Sequence, residues 1–396
     1  MTSATSPECP VTQTIDPPSF GFRAPTRLIV GPGSLTHLGT LAREFAASRV
    51  LVTSDAGIVA AGHTAAGIAA LEAAGLVTGL FSAFTENPTS AEVEAGTAFA
   101  RDFRPDLLVG LGGGSSMDCA KGINFLISCG GRMQDYRGRA SATGPLLPSI
   151  AVPTTAGTGS ETQSFALITD SDSGAKMACG DPRAAFRLAI LDVNLTLTQP
   201  RSLAAVTGID AVSHAVESHV STAATPVSRM FSREAWRLLA RNLPEVLVDG
   251  GSIAARSAVQ LGAALAGFAI ENSMLGAAHA LANPLTAVHG VIHGQAVGVM
   301  LPHVVRFNGR ACGAGYGELL GEIGVETGAA TAGERLAGWL ADLLRASHLL
   351  TSLRECGIPA PDIGLLAPLA ASQWTGSFNP RPVTAADLAM LYEAAR

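Results

Sequence analysis

The sequence has few aromatic residues and few charges, and both shortages narrow the classes of protein to which it can belong. Aromatic residues make up 5% of the chain and charged residues 15%, while 44 of its 396 residues are glycine. This composition is typical of an enzyme with a buried sheet, close backbone packing and many glycine turns. The net charge is -6 and no basic block is present, which argues against a nucleic acid as partner.

The chain also lacks regular cysteine spacing, a long apolar run and a leader-like start. Its six cysteines form no Cys-x-x-Cys pair, so reduced thiols in a cytoplasmic protein are the expected state. No run of about 18 uninterrupted apolar residues occurs, which argues against a membrane span. Residues 1–19 contain neither a basic nor an apolar leader segment, and we expect a flexible tail there.

Apolar runs that alternate with helical patterns dominate the first half of the chain. Such runs occur at residues 27–30, 49–52 and 106–109, each followed by a glycine turn or a helical pattern. The alternation predicts a parallel, doubly wound α/β sheet over residues 20–195. Alanine- and leucine-rich segments then predict an all-α domain over residues 196–396, with one buried helix over residues 263–281.

A glycine turn after the third run marks a candidate dinucleotide site. Residues 107–121 have the pattern of a strand, a turn at Gly112, Gly113 and Gly114, and a helix start. Bare glycine backbone lets N–H groups approach a diphosphate at a helix N-terminus. The turn departs from the Gly-x-Gly-x-x-Gly fingerprint, because Ser115 stands in the third glycine's place. A tight connection without a ligand is the plainer alternative.

Two further segments offer groups that bind a nucleotide. Asp55 follows the second run, where a carboxylate can bond both ribose hydroxyls and repel a 2′-phosphate, which favours NAD over NADP. Capping of the next helix is the alternative role for Asp55. Residues 153–161, which read Pro-Thr-Thr-Ala-Gly-Thr-Gly-Ser-Glu, bring hydroxyls and bare backbone into one loop.

Four side chains of the second half form a candidate metal site. Asp210 and His214 are four residues apart in a helical pattern, so both project from one helix face. His279 lies in the predicted buried helix and His293 in a predicted turn between two glycines. Three imidazoles and one carboxylate suit Fe²⁺ or Zn²⁺, with a position left open for substrate. Hydrogen-bonded core histidines are the alternative.

These segments, in this order, resemble the iron-dependent (group III) alcohol dehydrogenase family from about Phe20 onward. The matching stretches are Gly112-Gly113-Gly114-Ser115 with Asp118 and Lys121, residues 153–161, residues 207–217, His293-Gly294, Leu301-Pro302-His303-Val304 through Asn308, and Asn379-Pro380-Arg381-Pro382. The resemblance implies a dinucleotide-binding α/β domain, a helical domain and an active site in the cleft between them.

The resemblance also assigns roles to individual residues. The family's metal positions fall on Asp210, His214, His279 and His293. Its nucleotide contacts fall on Asp55, Asn87, Gly113, Gly114, Ser115, Asp118, Thr154, Thr155, Thr158 and Lys176. Phe165 and Ile270 are expected in the substrate pocket.

Two departures from the family pattern concern catalysis and the pocket. Asn283 stands where relatives have a histidine that helps to move the alcohol proton, and an amide cannot titrate near neutral pH. His289, four residues before His293, is the candidate for supplying the missing titratable group. Ile270 stands where many relatives have phenylalanine, which is expected to widen or reshape the pocket.

Together these features imply a cytoplasmic, metal-dependent, NAD-linked alcohol dehydrogenase or aldehyde reductase. Hydride would pass between a metal-bound alkoxide and nicotinamide. The expected cofactors are NAD and Fe²⁺ or Zn²⁺, the expected partner is a small alcohol or aldehyde, and the expected assembly is a homo-oligomer such as a homodimer, with no nucleic acid or membrane partner.

Three alternatives remain open at this point. One is a hydroxyacid–oxoacid transhydrogenase that keeps its nicotinamide tightly bound. Another is a dehydroquinate-synthase-like lyase, which needs cations that the lysine-poor residues 192–307 do not supply. The third is a binding or scaffold protein without catalytic activity.

Overall fold

The computed structural model of this chain describes residues 19–139 and 142–396. The tail expected at residues 1–19 therefore lies outside the described residues, apart from Ser19. The fold class agrees with the sequence prediction, since a parallel sheet with helices on both faces is followed by a region made of helices.

A six-stranded parallel sheet forms the centre of the first half. The strands of this half are β1 Arg27–Val30, β2 Arg49–Thr53, β3 Val77–Phe81, β4 Leu107–Gly112, β5 Gly138–Arg139, β6 Ser149–Pro153, β7 Phe165–Thr169, β8 Lys176–Gly180 and β9 Leu188–Leu191. Six of them lie in the order β1-β9-β6-β4-β2-β3, and every neighbouring pair is parallel.

Helices cover both faces of this sheet, so its strands are apolar on both sides. The helices of the first half are α1 Leu38–Arg43, α2 Ala56–Ala60, α3 His63–Ala73, α4 Ser90–Phe103 and α5 Gly114–Cys129. Val52 of β2 packs in one core cluster with residues of α1 and α3. The preceding residue, Leu51, points to the other face of the sheet and packs with residues of α4 and α5. Alternate residues of one strand thus serve two cores.

The strand order reverses next to β2, and this reversal fixes where a ligand can bind. The chain steps from β2 outward to β3, and then returns to the other side of β2 with β4, β6 and β9. In open α/β sheets, the crevice beyond the carboxyl ends of the strands at such a reversal is the binding site. The glycine turn after β4 and Asp55 after β2 both lie there.

A second, three-stranded sheet was not predicted from the sequence. Its order is β5-β8-β7, and β7 and β8 form an antiparallel hairpin. Phe165 begins β7 and Lys176 begins β8. The hairpin therefore places two of the predicted site residues on one rigid element.

The second half consists of eight α-helices among the described residues. They are α6 Arg201–Val220, α7 Pro226–Val248, α8 Ile253–Glu271, α9 Ala277–His289, α10 His293–Glu322, α11 Ala329–Ala346, α12 Ile363–Ala371 and α13 Ala385–Ala394. In α6, every residue from Gly208 to Val220 is buried. The helices begin at Arg201, five residues after the predicted division at residues 195–196, which stays a prediction.

The single buried helix predicted over residues 263–281 is wrong, because the chain breaks between α8 and α9. Gly276 has the non-helical dihedrals φ −137° and ψ −148°. The side chain of Asn272 turns back and donates to the carbonyls of Phe268 and Arg23, which competes with continued helix. His293 is likewise not in a turn but is the first residue of α10.

Helix α8 is the one described helix that is long and apolar enough to cross a membrane, judged by length and composition alone. About two thirds of that apolar stretch is buried inside the protein, mainly against α6 and α7. Buried core helices commonly have this character.

Candidate active site

Three histidine side chains, from three helices, surround one carboxylate oxygen. Oδ1 of Asp210 lies 3.4 Å from Nε2 of His214, 3.5 Å from Nε2 of His279 and 3.8 Å from Nε2 of His293. Asp210 and His214 are one turn apart in α6, and the other two rings come from the starts of α9 and α10. The structure thus brings together all four residues of the predicted metal set.

The three distances from Oδ1 of Asp210 are close to those between ligands of a tetrahedral metal ion. The ligand atoms of Asp210, His279 and His293 also lie within 4.8 Å of one another, a group that does not include His214. An ion about 2.1 Å from each of four tetrahedral ligands separates the ligand atoms by about 3.4 Å. Oδ1 of Asp210 and Nε2 of His279 are buried and have no hydrogen-bond partner. A buried polar atom without a partner costs roughly 1–3 kcal/mol, so the cluster is built to receive a cation.

The protonation preferences of the cluster agree with this. Burial alone would raise the pKa of Asp210, but His214, His293 and His279 hold it well below the usual range of a carboxyl. Burial lowers the pKa of His214 and of His293. Burial also acts to lower the pKa of His279, but Asp210 and Glu217 outweigh it and raise the pKa to about 9. The two carboxylates thus favour a positive charge at this ring, whether a proton or a metal cation.

One side of the cluster is open. The side chain of His293 keeps 24% of its surface exposed, whereas those of Asp210, His214 and His279 keep 8% or less. A small molecule could therefore approach the four ligand atoms past His293.

Asp55 lies at the strand reversal, and it caps helix α2. Its Oδ1 accepts hydrogen bonds from the backbone N–H groups of Gly57 and Ile58, at 3.0 and 3.1 Å. Its Oδ2 accepts the hydroxyl of Ser116 at 3.1 Å and lies 3.2 Å from the position that a Cβ on Gly112 would take. The capping alternative is therefore correct. A carboxylate has about four acceptor positions, so capacity for a ribose hydroxyl remains.

A second group of predicted nucleotide residues lies beside the same turn. The backbone N–H of Asn87 donates to Oγ of Ser115 at 3.1 Å, and Nζ of Lys176 donates to Oδ1 of Asn87 at 3.0 Å. Burial lowers the pKa of Lys176, while the carboxylates of Asp118 and Asp210 act in the opposite direction. The negative charge of Asp210 thus favours the charged form of Lys176.

The loop after β6, residues 154–161, lies beside the glycine turn. We call it the threonine loop, and we call the loop, the glycine turn, Asp55, Asn87 and Lys176 together the nucleotide cradle. A Cβ on Gly113 would lie 3.5 Å from the side chain of Thr155, and one on Gly114 would lie 2.9 Å from that of Thr158. The hydroxyl of Thr154 is buried and has no hydrogen-bond partner. Bare glycine backbone at the start of a helix, beside threonine side chains, is an arrangement that suits a diphosphate. These residues fit a dinucleotide.

The place of Phe165 and Ile270 in a substrate pocket stays a prediction. The ring of Phe165 lies 5.7 Å from that of Trp374, and Ile270 is buried near the end of α8. Asn283 lies one turn after His279 in α9, hence on the same helix face, and its Nδ2 donates to Oε1 of Gln373 at 3.0 Å.

His289 does not lie with the cluster. It is the last residue of α9, and its Nε2 is 3.4 Å from Oδ2 of Asp362. Ten residues separate it from His279, which amounts to roughly 15 Å along a helix. Its role as a substitute proton carrier stays a prediction, and its position does not favour it.

Sequence reasoning gave no role to Lys121, which is 2% exposed. Its Nζ donates to the carbonyls of Ser160, Gln163 and Phe165, each at 2.8 Å. Burial lowers its pKa to about 8, although Asp118 acts to raise it. Lys121 thus fixes the segment between the threonine loop and β7. The motif that contains Asp118 and Lys121 could have indicated this role. No sequence pattern indicates Gln373 or Trp374, because they lie about 90 residues from α9 in the sequence.

Family models and similar sequences both match the family that the sequence motifs resemble. Residues 25–193 match the family described as iron-containing alcohol dehydrogenase, and residues 204–396 match its C-terminal family. The NAD-dependent methanol dehydrogenase of Bacillus methanolicus is 34% identical over 377 residues, which is 94% of this chain and 99% of that protein.

Solved structures agree in fold. The structure of a 1,3-propanediol oxidoreductase has a TM-score of 0.93 at 30% identity and covers 96% of this chain and 100% of its own. The sulfoacetaldehyde reductase of Bifidobacterium kashiwanohense, in complex with NAD⁺, has a TM-score of 0.86 at 26% identity and covers 95% of this chain and 98% of its own.

We predict that His293→Ala lowers the affinity for a divalent ion by more than about 100-fold, since changes to residues behind the ligands alone cost about 10–100-fold. The dissociation constant for Zn²⁺ is measured by competition with a chromophoric chelator. His303→Ala, in the same helix but outside the cluster, is the matched control. A folded His293→Ala protein with unchanged affinity would remove this residue from the ligand set.

We also predict that Lys121→Met destabilises the fold by about 3 kcal/mol, because three buried carbonyls lose their donor. Urea unfolding followed by circular dichroism measures this. The control is Arg27→Met, which removes an exposed ion pair with Glu44 and is expected to cost less than about 1 kcal/mol. Equal midpoints for the two variants would contradict the role given to Lys121.

Proposed function

We propose a metal-centred site for the reaction of this chain, which belongs to the iron-containing alcohol dehydrogenase family. The protein is a metal-dependent, NAD-linked alcohol dehydrogenase. What carries the residue assignment is the convergence of Asp210, His214, His279 and His293 on one point. Lys176 donates to Asn87, another predicted nucleotide contact, and the charge of Asp210 acts on it.

The two cofactors supply the chemistry, and the chain supplies the geometry. A divalent ion in the four-ligand cluster supplies Lewis acidity toward an alcohol or aldehyde oxygen, and nicotinamide supplies the hydride acceptor or donor. Iron fits the family, and we propose that Zn²⁺ can occupy the same ligands, because imidazole and carboxylate suit both ions.

The cradle residues orient the nucleotide relative to the cluster. The N-terminus of α5 and the threonine loop offer backbone N–H groups and hydroxyls to a diphosphate. Asp55 follows β2, and Lys176 is the first residue of β8. We assign the ribose to Asp55, which makes NAD the expected cofactor over NADP.

We propose that the alcohol proton leaves through an ordered water that Asn283 holds in place. An amide cannot take up the proton itself. The Gln373 amide fixes the orientation of Asn283, one helical turn from a proposed metal ligand. This route needs no titratable side chain, and it gives no role to His289, whose Nε2 lies 3.4 Å from Oδ2 of Asp362.

Three further assignments complete the proposal. We propose a small alcohol or aldehyde as substrate, a cytoplasmic location and a homodimer as the assembly. Turnover of an alcohol and aldehyde panel, followed by NADH absorbance on protein purified with its metal, tests the activity. A transhydrogenase would instead retain its nicotinamide through gel filtration and turn over without added NAD.

We predict that the protein prefers NAD(H) to NADP(H) by about 10-fold or more in kcat/KM, the scale of one charge–charge contact of about 1.4 kcal/mol. The test variant is Asp55→Asn, because asparagine also caps helices well and so preserves the bonds to Gly57 and Ile58. We expect a weakened preference with an unchanged unfolding midpoint. Equal kcat/KM values for both cofactors in the unmodified protein would exclude the assignment of Asp55.

We predict that His289→Gln lowers kcat less than about twofold and leaves the pH–rate profile unaltered, whereas loss of a direct acid–base group costs about 10²- to 10⁴-fold. Asn283→Ala is the companion variant, and it is expected to lower kcat at constant metal content. If His289→Gln instead flattened a step in the pH–rate profile, the water route would be wrong.

A further inference from the structure

The first turn of α9 is held by side chains that come from distant parts of the chain. Oε1 of Glu217, in α6, accepts the backbone N–H of Ala278 at 2.7 Å. Oδ1 of Asn379, close to the C-terminal helix, lies 3.3 Å from the backbone nitrogen of Ala277 and accepts its hydrogen. The first N–H groups of any helix lack partners within it, so these two acceptors complete the start of α9.

Glu217 uses its second oxygen on the ring of His279. Its Oε2 lies 2.5 Å from Nδ1 of His279, and both side chains are 4% exposed. With Nδ1 donating to a carboxylate, the neutral ring carries its lone pair on Nε2. That nitrogen is the one that lies 3.5 Å from Oδ1 of Asp210.

Asn379 is itself fixed by a reciprocal amide pair. Nδ2 of Asn308, in α10, donates to Oδ1 of Asn379 at 2.9 Å, and Nδ2 of Asn379 donates to Oδ1 of Asn308 at 2.8 Å. Both residues are buried. Two residues further on, Arg381 stacks over the ring of Phe307, 3.6 Å from its centroid.

The residue before α9 must be glycine for this arrangement. A Cβ on Gly276 would lie 2.9 Å from Oε1 of Glu217 and 3.1 Å from Oδ1 of Asn379. Any side chain would push away one of the two acceptors. The break between α8 and α9 is thus shaped around Glu217 and Asn379.

We propose that Glu217, Asn379 and Asn308 form a positioning network that sets the tautomer and the place of His279. None of the three is within the four-ligand cluster, so they act through His279 and not on a bound molecule. The network rests on the proposed function, because it presumes that His279 is a metal ligand. Its expected effect is on the affinity of the site for a divalent ion.

Glu217→Gln separates this role from a packing role. A carboxamide has one acceptor oxygen, and the two donors lie at different oxygens of Glu217, so an unmoved glutamine side chain cannot accept from both Ala278 N–H and His279 Nδ1–H. If its oxygen keeps the helix N–H, its amino group faces the ring and favours the Nε2–H tautomer, which blocks the ligand nitrogen. Affinity for Zn²⁺ should fall about 10–100-fold, as for other partners of metal-binding histidines.

The matched control is Glu271→Gln. Glu271 is another buried glutamate, and it also accepts one backbone N–H and one side chain, both from Ser164. We expect this variant to bind Zn²⁺ like the unmodified protein. Unfolding midpoints of both metal-free variants, measured in urea, show whether the two substitutions cost similar stability.

The readouts are the Zn²⁺ dissociation constant, from chelator competition, and the visible absorption of the Co²⁺-loaded protein, which reports ligand geometry. Weaker Zn²⁺ binding and a changed Co²⁺ spectrum in Glu217→Gln alone support the network. Equal losses in both variants, or none in Glu217→Gln, overturn it. If Glu217→Gln does not fold, Asn379→Ala replaces it, and unchanged Zn²⁺ affinity there overturns the network equally. Failure of the unmodified protein to bind Zn²⁺, Co²⁺ or Fe²⁺ would instead refute the proposed function.

Discussion

The carboxylate of Asp210 is buried, and one of its oxygens has no hydrogen-bond donor among the described residues. Burial of an unpaired charge costs several kcal/mol unless a cation compensates it. The three imidazoles around Asp210 stabilise its negative charge. They come from three helices, so these helices must approach one another at Asp210. The break between α8 and α9 fits this requirement. A continuous helix over residues 263–281 would have no free N–H groups near His279 for Glu217 and Asn379 to bind. This one charge constrains where the starts of α9 and α10 lie relative to α6.

The chain uses lysine at two positions only, Lys121 and Lys176. Both are near the nucleotide cradle, and their environments differ. Lys121 spends its three donors on carbonyls and leaves none for a ligand. Lys176 makes one hydrogen bond, to Asn87, and the charges of Asp118 and Asp210 act to raise its pKa. An ammonium group has three donors, so Lys176 keeps capacity for a bound molecule. One lysine is therefore a structural clamp and the other is suited to a ligand.

How much the sequence could predict follows from the range of the interactions involved. The alternation of β2 and β4 with helices, and the shared face of Asp210 and His214, are local, so periodicity and spacing indicate them. The Asp55 cap is local too, and it was correctly foreseen as an alternative. Pairings such as Asn283 with Gln373, or Glu217 with His279, join residues 90 and 62 positions apart. No local pattern encodes these contacts. The hairpin of β7 and β8 was missed because its two strands pair antiparallel, outside the alternation of parallel strands with helices on which the prediction was based.

The two halves of the site must be held at a fixed separation, and the segment after the threonine loop does this. Lys121 binds it from the α/β side, while α8 binds it from the helical side, since Oγ1 of Thr162 donates to the carbonyl of Ala264 and Ser164 donates to Glu271. Gly267 of α8 lies so close to this segment that a Cβ there would be 2.7 Å from the carbonyl oxygen of Gly159. A hydride moves only between atoms about 3–3.5 Å apart in a near-attack geometry. A stiff connection of this kind, made of backbone contacts and buried charges, is what allows a nucleotide bound by one half to meet a substrate bound by the other.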